Sequence, residues 1–434
     1  MRMCVLDISL YLCLYVAIGC VSADYISSMN RILVVSYYFP PVLSARSIQV
    51  AKFVKYVNRS HYRVNVVTAN LSSIGTGRID EDLNKYLVDR TINVTRAKSR
   101  YVKTHLDVFL GSLTGLYFLP WIRSTFHECL CNMYDMHFEA LCTFSSPFDS
   151  HLVGLLLKRK FGNVRWVACF SDPFVNNPFV AYYSRFLRRG FQSVIERLIV
   201  KNADVCVFVS HELMERIMCR YPIRFKNKCR VIPHCYDDEI FPVRVRSTSC
   251  YVTLRYIGDF CRQRSLQPLV AAIRILKQQE SEVLSKLKIE IVGQSPQPHE
   301  LDHFLRKDES VIRLFGPVSY PVSLELMVSA DYLLVIDASF ERSPFFPSKI
   351  VDYLGSKRPI IGITPLDSCT ARILLDLGHH VVPPNEPERL AQLLTNIVMG
   401  RRAIKQAGHL YDKYYSCKNV VQKFIEVLTS QADK

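Results

Sequence analysis

The sequence predicts an α/β protein with two Rossmann-like, doubly wound domains facing one cleft. Three observations carry that expectation. Short, almost continuously apolar runs alternate with helical patterns from residue 30 onward. The alternation breaks once, at a polar stretch containing a proline, and then restarts. Finally, 434 residues exceed what one ordinary hydrophobic core organises.

In the first half, "RILVVSYY" (31–38) reads as a strand, "ARSIQVAKFVKYV" (45–57) as a helix and "YRVNVVTA" (62–69) as a strand. "FEALCTF" (138–144), "VRWVACF" (164–170), "ADVCVFVS" (203–210) and "CRVIPH" (229–234) extend the sheet. Strands covered by helices on both faces must be apolar throughout, as these are. "DDEIFPVRVRSTSC" (237–250) reads as the break. After it come "YVTLRYIG" (251–258), "LKIEIVG" (287–293), "SVIRLFG" (310–316), "ADYLLVID" (330–337), "RPIIGI" (358–363) and "HHVVPP" (379–384). The expected division is a leader at 1–28, a first domain at 29–241, a hinge at 242–250 and a second domain at 251–415. A helix over 416–431 then returns to the first domain, with Val420, Val421, Phe424, Ile425 and Leu428 on one stripe.

Composition narrows the function. Apolar residues make up 49% and charged residues 22%, a globular balance. Lys and Arg outnumber Asp and Glu by 55 to 39, and the net charge of +16 favours anionic partners. The positive charge never gathers into a block, so no nucleic-acid tail is expected. The 15 cysteines include no C-x-x-C pair, and most sit in apolar runs. They read as buried thiols of a reducing, cytoplasmic compartment, not as a disulfide framework or a zinc site. Residues 1–28 resemble a signal or anchor sequence interrupted by Asp7, and Met29 just before the first strand offers an alternative start.

"FFPSKIVDYLGSKRPIIGI" (345–363) follows a strand and opens a helix at residue 347. There Pro347 suits the first turn, while Ser348 and Lys349 offer a hydroxyl and a charge to a phosphate. Asp352, one turn on, suits a ribose diol. In "YIGDFCRQRSL" (256–266), Gly258 lets a ligand approach the backbone and Arg264 can bridge phosphate oxygens. Together Lys349 and Arg264 suggest a diphosphate clamp. On the other side of the cleft, His151 and Asp172 are candidates for acceptor contacts, and Ser44 and Arg46 are expected to line the cleft. The 185–201 helix carries Leu187, Phe191, Val194, Ile195 and Leu198 on one stripe and Arg185, Arg188 and Arg189 on another. Packing against the sheet explains the stripe, and peripheral contact with a membrane surface explains the arginines.

Taken in order, these segments resemble retaining GT-B glycosyltransferases of the family 4 type. The resemblance rests on "YYFPPVLSARSIQVAKFVKYV", "SSPFDSHLVGLLLKRK", "WVACFSDPF", "RVIPHCYDDEIFP", "GDFCRQR" and "PSKIVDYLGSKRPIIGI". It implies transfer of a sugar from a nucleotide-diphosphate donor, a co-substrate in place of any cofactor or metal, to a glycan or lipid-linked acceptor hydroxyl with retained configuration. Arg264 and Lys349 would hold the diphosphate, and Asp352 would replace the second glutamate of the family's E-x7-E motif. Four departures stand out. The first glutamate falls at Pro344, so its contact with the donor sugar is either missing or supplied by nearby Glu341. His234-Cys235 replace an Asn-Gly, Asp259 an arginine and Phe174 a tryptophan. An inactive nucleotide-sugar-binding protein, a nucleotide-sugar epimerase and a DNA-modifying glucosyltransferase are the competing expectations.

Overall fold

The computed structural model describes residues 30–74, 78–98, 105–116, 118–178, 185–243, 250–260, 264–279, 282–294, 311–338, 343–400 and 408–430. The leader, Glu341 and residues 244–249 of the expected hinge lie outside the described residues.

Seven strands form the first sheet: β1 (Arg31–Ser36), β2 (Arg63–Ala69), β3 (Asn93–Ala97), β4 (Ala140–Phe144), β5 (Arg165–Phe170), β6 (Val205–Phe208) and β7 (Cys229–Val231). Their order is β3-β2-β1-β4-β5-β6-β7. Six form the second: β8 (Val252–Ile257), β9 (Leu287–Val292), β10 (Ile312–Phe315), β11 (Tyr332–Ile336), β12 (Ile360–Ile363) and β13 (His380–Val382). Here the order is β10-β9-β8-β11-β12-β13, and the ladders in both sheets are parallel. In each sheet the chain winds outward from a central strand and then resumes on that strand's other side. Those reversals, at β1/β4 and β8/β11, open a crevice beyond the strands' carboxyl ends.

The sequence pattern anticipates twelve of these strands and misses β3. "NVTRA" is an edge strand paired only to β2, half open to solvent, so it needs no apolar run.

The Ala45–Arg59 helix is covered on nearly all sides. One ridge of it, Lys52, Lys55 and Arg59, meets three carboxylates from later in the chain. Lys52 Nζ lies 2.5 Å from Asp352 Oδ1, Lys55 Nζ 2.6 Å from Asp237 Oδ2 and Arg59 2.7 Å from Glu239 Oε2. The Cys417–Thr429 helix packs against the same helix, with the Phe424 ring 4.4 Å from that of Phe53. One helix thus ties the first sheet to the linker, the second domain and the chain's end.

The Arg185–Asn202 helix corrects an expectation. Leu187, Phe191 and Val194, expected to pack on the sheet, are 64%, 44% and 58% exposed. Ile195 and Leu198 of the same stripe do pack, half-buried, against the core, while the buried side also carries Gln192, Glu196, Ile199, Val200 and Arg188, an arginine expected on the membrane-facing stripe. Glu196 sets that orientation, because its carboxylate accepts from the Tyr221 hydroxyl at 2.8 Å and from Arg220 at 2.5 Å. A buried carboxylate held on one oxygen by a hydroxyl and a guanidinium outweighs an apolar stripe in choosing the face.

Candidate functional site

Between the two sheets lies a cleft of about 530 Å³. Its walls come from segments just beyond β1, β4, β5, β8, β9 and β11, the placement expected of ligands in doubly wound sheets.

The second-sheet wall centres on two glycines. Gly258 follows β8 with φ +124°, and Gly293 follows β9 with φ +132°. Side chains rarely adopt such backbone angles. There is also no room for them. A methyl group on Gly293 would lie 2.6 Å from the Gly258 carbonyl oxygen, and one on Gly258 would lie 2.8 Å from Lys349 Nζ. Lys349 is held above this corner, its ammonium 3.8 Å from the centroid of the Tyr256 ring. Tyr353 fixes the arrangement. Its hydroxyl accepts from Ile257 N at 2.8 Å and donates to Ile257 O at 3.2 Å, pinning the Lys349–Gly355 helix to the end of β8. Arg264 also lines the cleft, 3.5 Å from the Asp259 carbonyl oxygen.

The Lys349–Gly355 helix has only seven residues, and Ser348, at its N-cap, makes no side-chain capping bond. So short a helix has a weak dipole, which leaves the Lys349 charge as the main attraction for an anion.

Asp352 faces the cleft from deeper in. Its Oδ1 accepts from Lys52 and its Oδ2 accepts from the Tyr320 hydroxyl at 3.3 Å. A ribose diol would share a carboxylate already held across the domain boundary. Lys52 is fully buried and also donates to Cys235 O at 3.2 Å. Burial alone would lower its pKa, and Asp352 more than reverses that, so Lys52 stays charged. Two further links close the cleft on one side. Tyr320 N donates to Asp80 Oδ2 at 2.6 Å, and Arg78 pairs with Asp259.

On the first-sheet wall, Ser44, Arg46 and Asp172 all line the cleft. The Ser44 hydroxyl is occupied as a helix cap, accepting from Ser47 N at 3.1 Å. Burial raises the Asp172 pKa, Arg46 opposes that, and Ser171 Oγ donates to its Oδ2 at 3.0 Å. His151 does not line the cleft. It is fully buried, 2.8 Å from Thr143 Oγ1, and burial pushes its pKa down to about 3. A strand-end position suggested access, but the helix start turns this ring toward Phe148 and Phe170 instead.

The sequence reading did not single out Lys52, Tyr320, Gly293, Tyr353 or Phe346. Gly293 alone carried a readable signal, being a glycine directly after a strand like Gly258. His234, noted only as a departure from a motif, lines the cleft with its ring 5.4 Å from that of Phe346. Burial holds its pKa well below the ordinary value, so the imidazole is neutral.

As a sequence, the chain matches no protein-family profile and no curated protein. Among solved structures it is similar to a sucrose-phosphate synthase from Thermosynechococcus elongatus, with TM-score 0.67 and 15% identity over 92% of this chain and 98% of that one. HepE of Anabaena, solved in complex with UDP-glucose, aligns with TM-score 0.62 and 12% identity over 92% and 100% of the two chains. WaaG, a glycosyltransferase involved in lipopolysaccharide biosynthesis, aligns with TM-score 0.58 and 12% identity over the same shares. At these identities the likeness establishes the fold, which is GT-B.

Proposed function

We propose that the protein transfers a sugar from a nucleotide-diphosphate donor to a hydroxyl acceptor, with retention of configuration, in the synthesis of a cell-envelope polysaccharide or glycolipid. The observation that carries this reading is the Gly258–Gly293–Lys349 corner. Two glycines expose backbone at the ends of adjacent strands, and a positioned ammonium stands over them. That arrangement suits a diphosphate, with Arg264 as the second cation. As the bond between the sugar's anomeric carbon and the diphosphate oxygen breaks, its electron pair stays on the diphosphate. The acceptor oxygen attacks from the same face, and its proton passes to the departing phosphate oxygen. Lys349 and Arg264 stabilise the developing charge, each by ~2–4 kcal/mol.

A second reading, binding without turnover, is favoured by Pro344 where a donor-sugar carboxylate is expected. Incubation with UDP-, GDP- and dTDP-sugars separates the two. The transferase reading predicts ligand-induced thermal stabilisation together with release of free nucleotide, and stabilisation without release would support the binding protein. No shift with any donor would remove both.

A lipid-linked acceptor would suit the exposed Leu187, Phe191 and Val194, beside exposed Arg189, Arg197 and Lys201. Among the described residues no helix is long and apolar enough to cross a membrane, and this exposed face would meet the surface of the bilayer. Flotation with phosphatidylglycerol but not phosphatidylcholine vesicles, lost on Phe191→Glu, is the expected result.

A further inference from the structure

A smaller recess of about 60 Å³ opens at the foot of the first-sheet wall, sharing Arg46 and His234 with the main cleft. Most of its lining is apolar, including Phe53, Phe144, Phe170 and Phe424. Two buried donors in its lining, Arg46 Nε and Gln49 Nε2, have no hydrogen-bond partner. Gln49 is only 7% exposed. Its amide orientation is fixed, because Cys235 N donates to Oε1 at 3.1 Å. That leaves the NH2 group as the unused end. Among the described residues Arg46 forms no ion pair. Asp172 is close enough to influence it electrostatically, but the hydrogen bond that carboxylate accepts comes from Ser171.

Buried polar groups in native proteins are nearly always paired, so an Nε and an amide NH2 buried without partners mark a place for an acceptor. We infer that this recess seats a carboxylate carried by the acceptor, held between Arg46 and Gln49. The inference rests on the transferase reading and adds the acceptor's chemical class, an acidic sugar or a similar carboxylate-bearing alcohol. A guanidinium and an amide match the two oxygens of a planar, singly charged group. A phosphate dianion would bring further charge and oxygen atoms into apolar surroundings that cannot solvate them. The recess is too small for a sugar ring, so the ring would remain in the main cleft with its hydroxyls facing the donor. It lies on the first-sheet wall, opposite the Gly258–Lys349 corner, which separates it from the donor's own anion.

The test is calorimetric titration of the full chain with D-glucuronate, D-glucose and glucose 6-phosphate, with UDP titrated separately. Glucuronate is expected to bind saturably and ~10-fold or more tighter than glucose. Arg46→Gln should abolish that preference and Arg46→Lys should retain part of it. Gln49→Leu should weaken glucuronate ~3–10-fold with little effect on glucose. Thermal melting of each variant guards against misfolding as the cause of a loss. Equal binding of glucose and glucuronate, a preference for glucose 6-phosphate, or a preference that survives Arg46→Gln would overturn the inference. Absence of UDP binding would count against the transferase reading instead and leave the glucuronate comparison standing.

Discussion

On the second-sheet wall the ligand-facing surface is backbone plus two cations, whereas on the first-sheet wall it is a set of side chains gathered from distant segments. Gly258 and Gly293 touch each other, and Lys349 is fixed above them by Tyr353. Across the cleft, Arg46 and Gln49 come from one helix, Asp172 from the end of β5 and His234 from the segment after β7. The difference teaches which parts of a site a chain announces locally. A glycine after a strand and a lysine at a helix start are short-range patterns with a backbone reason. An unpaired arginine becomes informative only once sheet order decides what stands beside it.

The boundary between the walls should give the largest effect. Lys52→Met leaves Asp352 buried without its cation and should destabilise the fold by ~3–5 kcal/mol in denaturant unfolding. Adding Asp352→Leu should recover most of that loss. A cost below ~1 kcal/mol for the single change would mean that the pair does not join the two domains as described.

Next come the cations of the second-sheet wall. Lys349→Ala and Arg264→Ala should each lower kcat/KM for the donor by ~10²–10³. Unaltered steady-state kinetics in both would place the diphosphate elsewhere.

The third effect concerns His151, behind the first-sheet wall. Its folded pKa of about 3 lies below the ordinary 6.5, so between those values the unfolded chain binds the extra proton. Stability from this group is therefore complete above pH 6.5 and is lost as pH falls toward 3, by about 2 kcal/mol at pH 5. His151→Gln should shrink the difference in unfolding free energy between pH 7.5 and pH 5 by about that much. An unchanged difference would show the imidazole to be solvated.

The smallest effect sharpens the glycine corner. Gly258→Ala introduces a side chain at φ +124° and crowds the Lys349 ammonium. It should cost about 1–2 kcal/mol of stability and weaken nucleotide diphosphate binding more than nucleoside binding. The same substitution at exposed Gly162, where a methyl group meets nothing within 4 Å, is the control.

The fold was readable because parallel strands buried on both faces leave apolar runs with polar interruptions, and β3 escaped because an edge strand needs no such run. Much of the second-sheet wall was readable for a related reason, since its signals sit at strand ends. Asp352 was legible as a carboxylate in the cleft, yet its partner Lys52 lies 300 positions away in the sequence. Nothing near either residue records that pairing. His151 and the Leu187–Val194 stripe misled for the same reason, their directions being set by Thr143 and by the Arg220 and Tyr221 partners of Glu196, which the fold brings close.

The proposed chemistry depends on Lys349 and Arg264 holding a diphosphate. The direct measurement is calorimetric binding of matched nucleoside and nucleoside diphosphate pairs, uridine with UDP and guanosine with GDP, to the full chain and to Lys349→Ala and Arg264→Ala. Both variants should lose ~10-fold or more in affinity for the diphosphate while nucleoside affinity changes less than ~2-fold. Equal losses toward nucleoside and diphosphate would contradict this.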